Sequence, residues 1–196
     1  MTDNKAPIKK GYETIKENGL DILKDIFENT NRWLQFGEAK NGALIGINGL
    51  FLFNSIDYLF DILNGKLNVN IFIVGIMITI FGFSTIGSLI SFMPNMSKMI
   101  NNMELTSEHN CKDDGVLIFF EDICKYESPE IYLKDIYKNY LSFNIEIENL
   151  EKLELDYAKE IIINSKIASY KYKLFKIGVK LNLVAIVIFF AFLIIA

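Results

Sequence analysis

Three long apolar runs, two before a charged stretch and one after it, limit what this chain can fold into. Residues Leu67 to Ser97 carry no charge, and Ala43 to Leu63 carry only Asp57 and Asp61. After Lys180 nothing is charged. A bilayer core about 30 Å thick needs about 20 helical residues to cross it. All three runs qualify, the third if it begins near Leu174 and lets Lys176 and Lys180 snorkel. The pattern predicts an all-α integral membrane protein with three transmembrane helices in a two-plus-one order. A cytosolic helical domain is expected between the second and the third.

The expected divisions are a tail and amphipathic helix over 1–41, a transmembrane hairpin over 42–97, a cytosolic helical domain over 98–173 and a third span over 174–196. Within the hairpin the helices should cover about 42–63 and 69–93. No apolar segment of signal-peptide type appears near Met1, so the first run is expected to stay as an anchor. Lysines and arginines mark the cytoplasmic ends of spans. Lys16, Lys24, Arg32 and Lys40 precede the first run, only Lys66 lies in the link 64–68, and Lys159, Lys166, Lys171, Lys173, Lys176 and Lys180 approach the third. The N-terminus and middle region are therefore expected inside, with the link and Ala196 outside.

Residues 1–10 read as unstructured. From Gly11 to Asn41 an apolar side is supplied by Ile15, Leu20, Ile22, Leu23, Ile26, Phe27, Trp33, Leu34 and Phe36. That helix runs into the first span or bends at Gly37 or Gly42. Asn64–Gly65 suits a tight turn. Pro94 ends the second span. Val116 to Tyr126 favours a short helix, and Ser128-Pro129-Glu130 is a helix start, with serine as cap and proline in the first turn. A last helix is expected from Glu146, its stripe Ile147, Leu150, Leu153, Tyr157, Ile161, Ile167 and Phe175.

Signs of enzyme chemistry are missing from the sequence. His109 stands alone, Cys111 and Cys124 form no Cys-x-x-Cys pair, and neither a phosphate-cradling glycine loop nor a His-Glu-x-x-His occurs. No catalytic residue, metal site or cofactor is expected. The middle region, Lys98 to Lys180, has 12 lysines against 15 carboxylates, a net of -3, which suits long nucleic acid poorly.

Polar groups inside the apolar runs point elsewhere. Asp57 and Asp61 are four apart and share a helix face. In a symmetric oligomer they would form acidic rings at a pore mouth that favour cations. Otherwise they are interfacial carboxylates in headgroup water, paired with Lys66. Asn48, Asn54, Ser55, Ser84, Ser88 and Ser91 line a water path or hydrogen-bond between helices, the commoner use. Three spans leave no room for a lumen in one chain, so a pore would form between subunits. Gly42 and Gly46 make a Gly-x-x-x-Gly pair for close helix approach, and Gly75, Gly82 and Gly87 extend the theme. Lys166, Tyr170, Lys171, Tyr172 and Lys173 would either hold a phosphate and stack a base, or anchor the chain on anionic lipid.

The run Phe36-Gly37-Glu38-Ala39-Lys40-Asn41-Gly42-Ala43-Leu44-Ile45-Gly46-Ile47-Asn48-Gly49 resembles the opening of the first membrane helix in Pycsar-type transmembrane effectors. The similarity continues through Pro94, through Phe119-Phe120-Glu121-Asp122-Ile123, and through Asn164-Ser165-Lys166-Ile167 and Tyr170-Lys171-Tyr172. It extends over most of the chain from Asn18, with Glu38, Lys40, Asn41, Pro94, Phe119 and Phe120 as its motif positions. The chain departs at Asn95, where the family commonly has Arg, and at Asn41, where a small residue before Ser is commoner.

The resemblance implies a bacterial anti-phage effector of the inner membrane. It implies a homo-oligomer, a tetramer or similar ring, that impairs the membrane so that the infected cell dies. The regulating ligand would be a nucleotide second messenger or short oligonucleotide, made by a neighbouring cyclase or nucleotidyltransferase. A cyclic pyrimidine nucleotide, a cyclic oligonucleotide and a repressing single-stranded DNA oligomer all remain open. The competing expectation is a membrane-anchored scaffold or adaptor whose cytosolic helices dock a partner protein without conductance. A holin-like protein is a third, though holins seldom carry an ordered insert of this length.

Overall fold

One helix, α1, runs unbroken from Lys5 to Leu63. The computed structural model describes residues 5–67, 70–93 and 115–195. Then come α2 (Ile71–Ile90), the single turn α3 (Phe120–Ile123), α4 (Pro129–Leu141) and α5 (Lys152–Ile195). A 3-10 turn, Ile147–Asn149, precedes α5. The described residues contain no strand. Helices α1, α2 and α5 are each long and apolar enough to cross a membrane, as the three apolar runs require. Pro94, His109 and Cys111 lie outside the described residues.

The helical segment starts earlier than the sequence suggests. Residues from Lys5 belong to α1 instead of an unstructured tail, and the helix passes Gly37 and Gly42 without interruption. Its buried positions are Gly19, Leu23, Ile26, Thr30, Gly37, Asn41, Leu44, Asn48 and Ser55. Steps of three, four and seven keep them on one stripe along the helix.

Two units share the chain. A charged unit takes Met1–Leu34 and Ser97–Ser169, and a membrane unit takes Gln35–Met96 and Tyr170–Ala196. These divisions differ from the sequence boundaries at 41 and 173. The reason is packing: Leu23 and Ile26 of α1 enter one core with Leu117, Ile123, Tyr132, Leu133, Ile136, Ala158 and Ile161. The amphipathic N-terminal segment is part of that unit and not a separate domain.

In the charged unit, Ser128 Oγ accepts the Ile131 N–H at 3.4 Å with Pro129 in the first turn of α4, as the sequence predicts. The helix ends at Ser142, whose φ of 50° is left-handed. Between Val116 and Tyr126 only one helical turn forms. Asp122 Oδ2 accepts the Val116 N–H at 3.2 Å, and the Tyr132 hydroxyl donates to Leu117 O at 2.8 Å. Those bonds hold the approach to α3 in irregular backbone.

Helix α5 begins at Lys152, later than Glu146. The Glu154 carboxylate turns back to accept the Glu151 N–H at 2.7 Å, the reach-back half of a capping box. The buried face of α5 keeps part of the expected stripe: Ile161 is in the core, and Leu150 and Tyr157 pack against it. Glu154, Ala158, Ile161, Ile162, Ser165 and Ala168 are buried, while Ile147 and Leu153 are half exposed. Small residues alternate with Ile161 and Ile162 on this face, and Leu155 packs at its edge with Leu150 and Tyr157.

The membrane unit inverts the usual pattern. Phe53 is 74% exposed and Phe72 77%, while Asn41, Asn48, Ser84, Ser88, Ser91 and Asn182 are buried with Leu44, Val74, Phe81 and Ala185. In water this arrangement would be unfavourable. Against lipid it is expected, because apolar groups face hydrocarbon and polar groups find partners between helices. The Asn64–Gly65 turn forms with Gly65 at φ 70°. Asn70 caps α2, its Oδ1 accepting the Phe72 N–H at 3.0 Å.

Candidate functional site

A chain of hydrogen bonds crosses the interior of the membrane unit and links all three spans. Asn182 Nδ2 donates to Asn48 Oδ1 at 2.7 Å. Asn48 Nδ2 donates to Ser84 Oγ at 2.8 Å, and Ser84 Oγ donates to Gly178 O at 3.2 Å. Ser88 Oγ and Asn182 Oδ1 are buried without a partner among the described residues. Two sequence candidates, Asn48 and Ser84, are thus placed together as interhelical hydrogen bonders. Spacing alone does not single out Asn182, the one amide in the uncharged run after Lys180.

The close approach that permits this chain comes from a glycine outside the Gly-x-x-x-Gly pair. A Cβ on Gly178 would lie 2.6 Å from Leu44 Cδ2 and 3.2 Å from Ser84 Oγ. At Gly46, Gly49, Gly75, Gly82 and Gly87 a Cβ would meet nothing within 4 Å. Their small faces therefore do not serve helix packing among the described residues.

A second cluster joins α1 to α5. Lys171 is buried, its Nζ donating to Glu38 Oε1. Asn41 Nδ2 donates to Gly37 O at 3.0 Å and to Lys171 O at 3.1 Å. Lys40 Nζ stands 4.6, 4.8 and 5.5 Å from the ring centroids of Phe36, Tyr172 and Phe175, within cation–π range. Glu38, Lys40 and Asn41 thus act as one fastening. Among the basic ligand-sensing candidates, Lys171 has its charge matched by Glu38, Lys173 is exposed, and Lys166 lies in the charged unit, half buried. Tyr170 and Tyr172 are half buried in the membrane unit.

The acidic face lies near the Asn64–Gly65 turn. Asn54 and Asp57 are exposed, and Asp61 pairs with Lys66 at 2.9 Å. Asn54 Nδ2 donates to Leu50 O at 2.9 Å. Spaced by three and four, Asn54, Asp57 and Asp61 form one polar stripe on a span surface otherwise covered by Leu50, Phe53 and Phe60.

The charged unit is organised around Glu154, which is 2% exposed. Its carboxylate accepts from Lys16 Nζ at 2.9 Å, from the Tyr137 hydroxyl and from the Glu151 N–H. Lys16 also donates to Asn149 O at 2.6 Å. Burial pushes the Tyr137 phenol up, and Glu154 adds to the shift. The family-motif aromatics belong to this unit: Phe120 is buried, and Trp33 packs at 6.1 Å from Phe119 and 5.6 Å from Phe120. Burial raises the Cys124 thiol pKa against an opposing hydrogen bond with Ser169, so it is a poor nucleophile. No metal-binding cluster of His, Cys, Asp or Glu occurs among the described residues.

A family model described as the Pycsar effector protein domain matches residues 22–196. No curated protein and no solved structure matches the chain.

Proposed function

Because the chain belongs to the Pycsar effector protein family, whose members are transmembrane effectors of anti-phage defence, we propose that it acts as a ligand-gated pore. Copies assemble as a ring in the inner membrane, with the N-terminus and charged unit in the cytoplasm. A nucleotide signal from a neighbouring cyclase or nucleotidyltransferase acts on the charged unit or on the basic stretch Lys166 to Lys173. The spans rearrange, ions pass, and the damaged membrane aborts infection.

The observation that carries this reading is the polar chain Asn182–Asn48–Ser84–Gly178 within three apolar spans. Polar side chains inside apolar spans are costly unless partnered, and spans that separate leave such groups to line a water path. In the resting chain their bonds are used between helices. On opening, Asn48, Ser84 and Ser88 would exchange those bonds for water. Asp57 is exposed and Asp61 half buried beside Lys66, where a neighbouring copy would turn the two carboxylates towards a shared axis. Acidic rings there favour cations.

The test is ion flux from liposomes holding the purified chain, with candidate cyclic nucleotides and short oligonucleotides supplied. Ligand-dependent flux with cation preference is expected, and Asp57→Asn with Asp61→Asn should abolish that preference. Impermeability under every ligand would instead favour a membrane-anchored scaffold. Flux with unchanged selectivity in the double variant would remove the acidic rings from the mechanism.

A further inference from the structure

Between the three spans lies a cleft of about 370 Å³. Its floor is the stacked pair Phe51 and Phe81, with ring centroids 4.8 Å apart and planes 4° from parallel. Its walls include Val74, Met77 and Ile186. Asn54 and Tyr58 line it towards the Asn64–Gly65 turn. Phe51 is 40% exposed and Tyr58 58%, so the cleft opens on the surroundings. From Ile73 to Phe81 the wall of α2 is about 12 Å long at 1.5 Å per residue.

We propose that this cleft seats one acyl chain of a membrane phospholipid, with the ester region of that lipid at Asn54 and Tyr58. Water is a poor occupant, because it needs two to four polar partners and the walls are almost wholly apolar. A void forfeits the dispersion contacts of its lining. The surrounding hydrocarbon supplies the matching material. The polarity is graded as a phospholipid requires, with aromatic rings at depth and an amide and a phenol nearer the turn, where tyrosines sit at headgroup level. Moving an acyl chain from bulk lipid into a protein groove gains little hydrophobic free energy. Retention must therefore come from shape and from hydrogen bonds at the polar rim. A retained lipid is then sensitive to Tyr58→Phe, which removes a hydroxyl while keeping the ring.

The experiment uses the full chain in liposomes containing phosphatidylethanolamine with a diazirine near the middle of one acyl chain. After irradiation, labelled peptides are mapped by mass spectrometry. Met77 and Phe51 should label roughly threefold or more above Phe53 and Phe83, which simply face lipid. Val74→Trp, which fills the cleft, should lower only the cleft labelling to the lipid-facing level. Should that variant lose helical content, Ser55→Leu is the second filler, and Tyr58→Phe should give a smaller loss without changing volume. Equal labelling of cleft and lipid-facing residues, or labelling indifferent to every variant, overturns the proposal. So does disulfide crosslinking of Met77→Cys between copies with no lipid label at the cleft, which assigns the groove to a second chain.

Discussion

Asn182 of the third span donates to Asn48 of the first at 2.7 Å, across 134 positions of sequence. The bond completes what the α1–α2 hairpin leaves open, since Asn48 uses its Nδ2 on Ser84 and needs a donor for its Oδ1. The third span is thus required chemically as well as sterically. The two-plus-one order lets a segment far away in sequence close the polar interior.

Removing the shared amide should therefore cost more than removing an end of the chain. Asn48→Ala leaves Ser84 Oγ and Asn182 Nδ2 without their partner, for a loss of about 1–2 kcal/mol. Asn182→Ala should cost less, about 1 kcal/mol or below. The double variant should cost less than the sum, because both act on one bond. Thermal loss of helical signal in detergent gives the three values, and strict additivity would contradict a shared bond.

Gly178 leaves no room for a side chain against α1. Gly178→Val places a branched side chain where even a Cβ falls 2.6 Å from Leu44 Cδ2. Overpacking of this kind costs about 1–3 kcal/mol. Leu44→Ala alone should also destabilise, by leaving a cavity. Combined with Gly178→Val it should recover part of the loss. Gly46→Val, where a Cβ meets nothing within 4 Å, should leave the melting of the isolated chain unchanged.

Much of this architecture is legible in the sequence because lipid imposes long apolar runs. The Asn64–Gly65 turn, the Ser128–Pro129 helix start and the inward face Ser84–Ser88–Ser91 all follow from local chemistry. What is not legible depends on contacts distant in sequence. The start of α5 is set by Glu154 together with Lys16, 138 residues away, and no local signal near Glu146 shows it. The glycine that packs is chosen by which face of α5 meets Leu44, which spacing alone does not give. Lys171 reads as a surface cation until its partner Glu38 is known.

Alkaline pH should unfold the charged unit through two tyrosines. Burial holds the phenols of Tyr132 and Tyr137 well above the ordinary value of 10.0, with Glu154 adding to the shift at Tyr137. A raised folded-state value means that stability is complete below the ordinary value and falls as pH rises past it, since only the unfolded chain ionises there. Phenolate absorbance from these two residues should appear together with loss of helical signal, above pH about 10. Tyr132→Phe and Tyr137→Phe identify their shares. Ionisation of either at its ordinary pH, with the helical signal intact, would contradict the burial account.

The Glu38–Lys171 pair should respond asymmetrically. Lys171 has a side chain 6% exposed, whereas that of Glu38 is 43% exposed. Removing the carboxylate strands a buried ammonium, a change that costs about 3–5 kcal/mol when both partners are fully buried. Water at the Glu38 side reduces this, so Glu38→Gln should cost about 1–3 kcal/mol. Lys171→Met keeps most of the side-chain volume and leaves a carboxylate that solvent can reach, so it should cost less. Glu38→Gln combined with Lys171→Met should be more stable than Glu38→Gln alone, because no buried charge remains unmatched. Thermal melts of the three variants decide this, and a Lys171→Met loss equal to or above that of Glu38→Gln would show that the lysine's packing matters more than its charge.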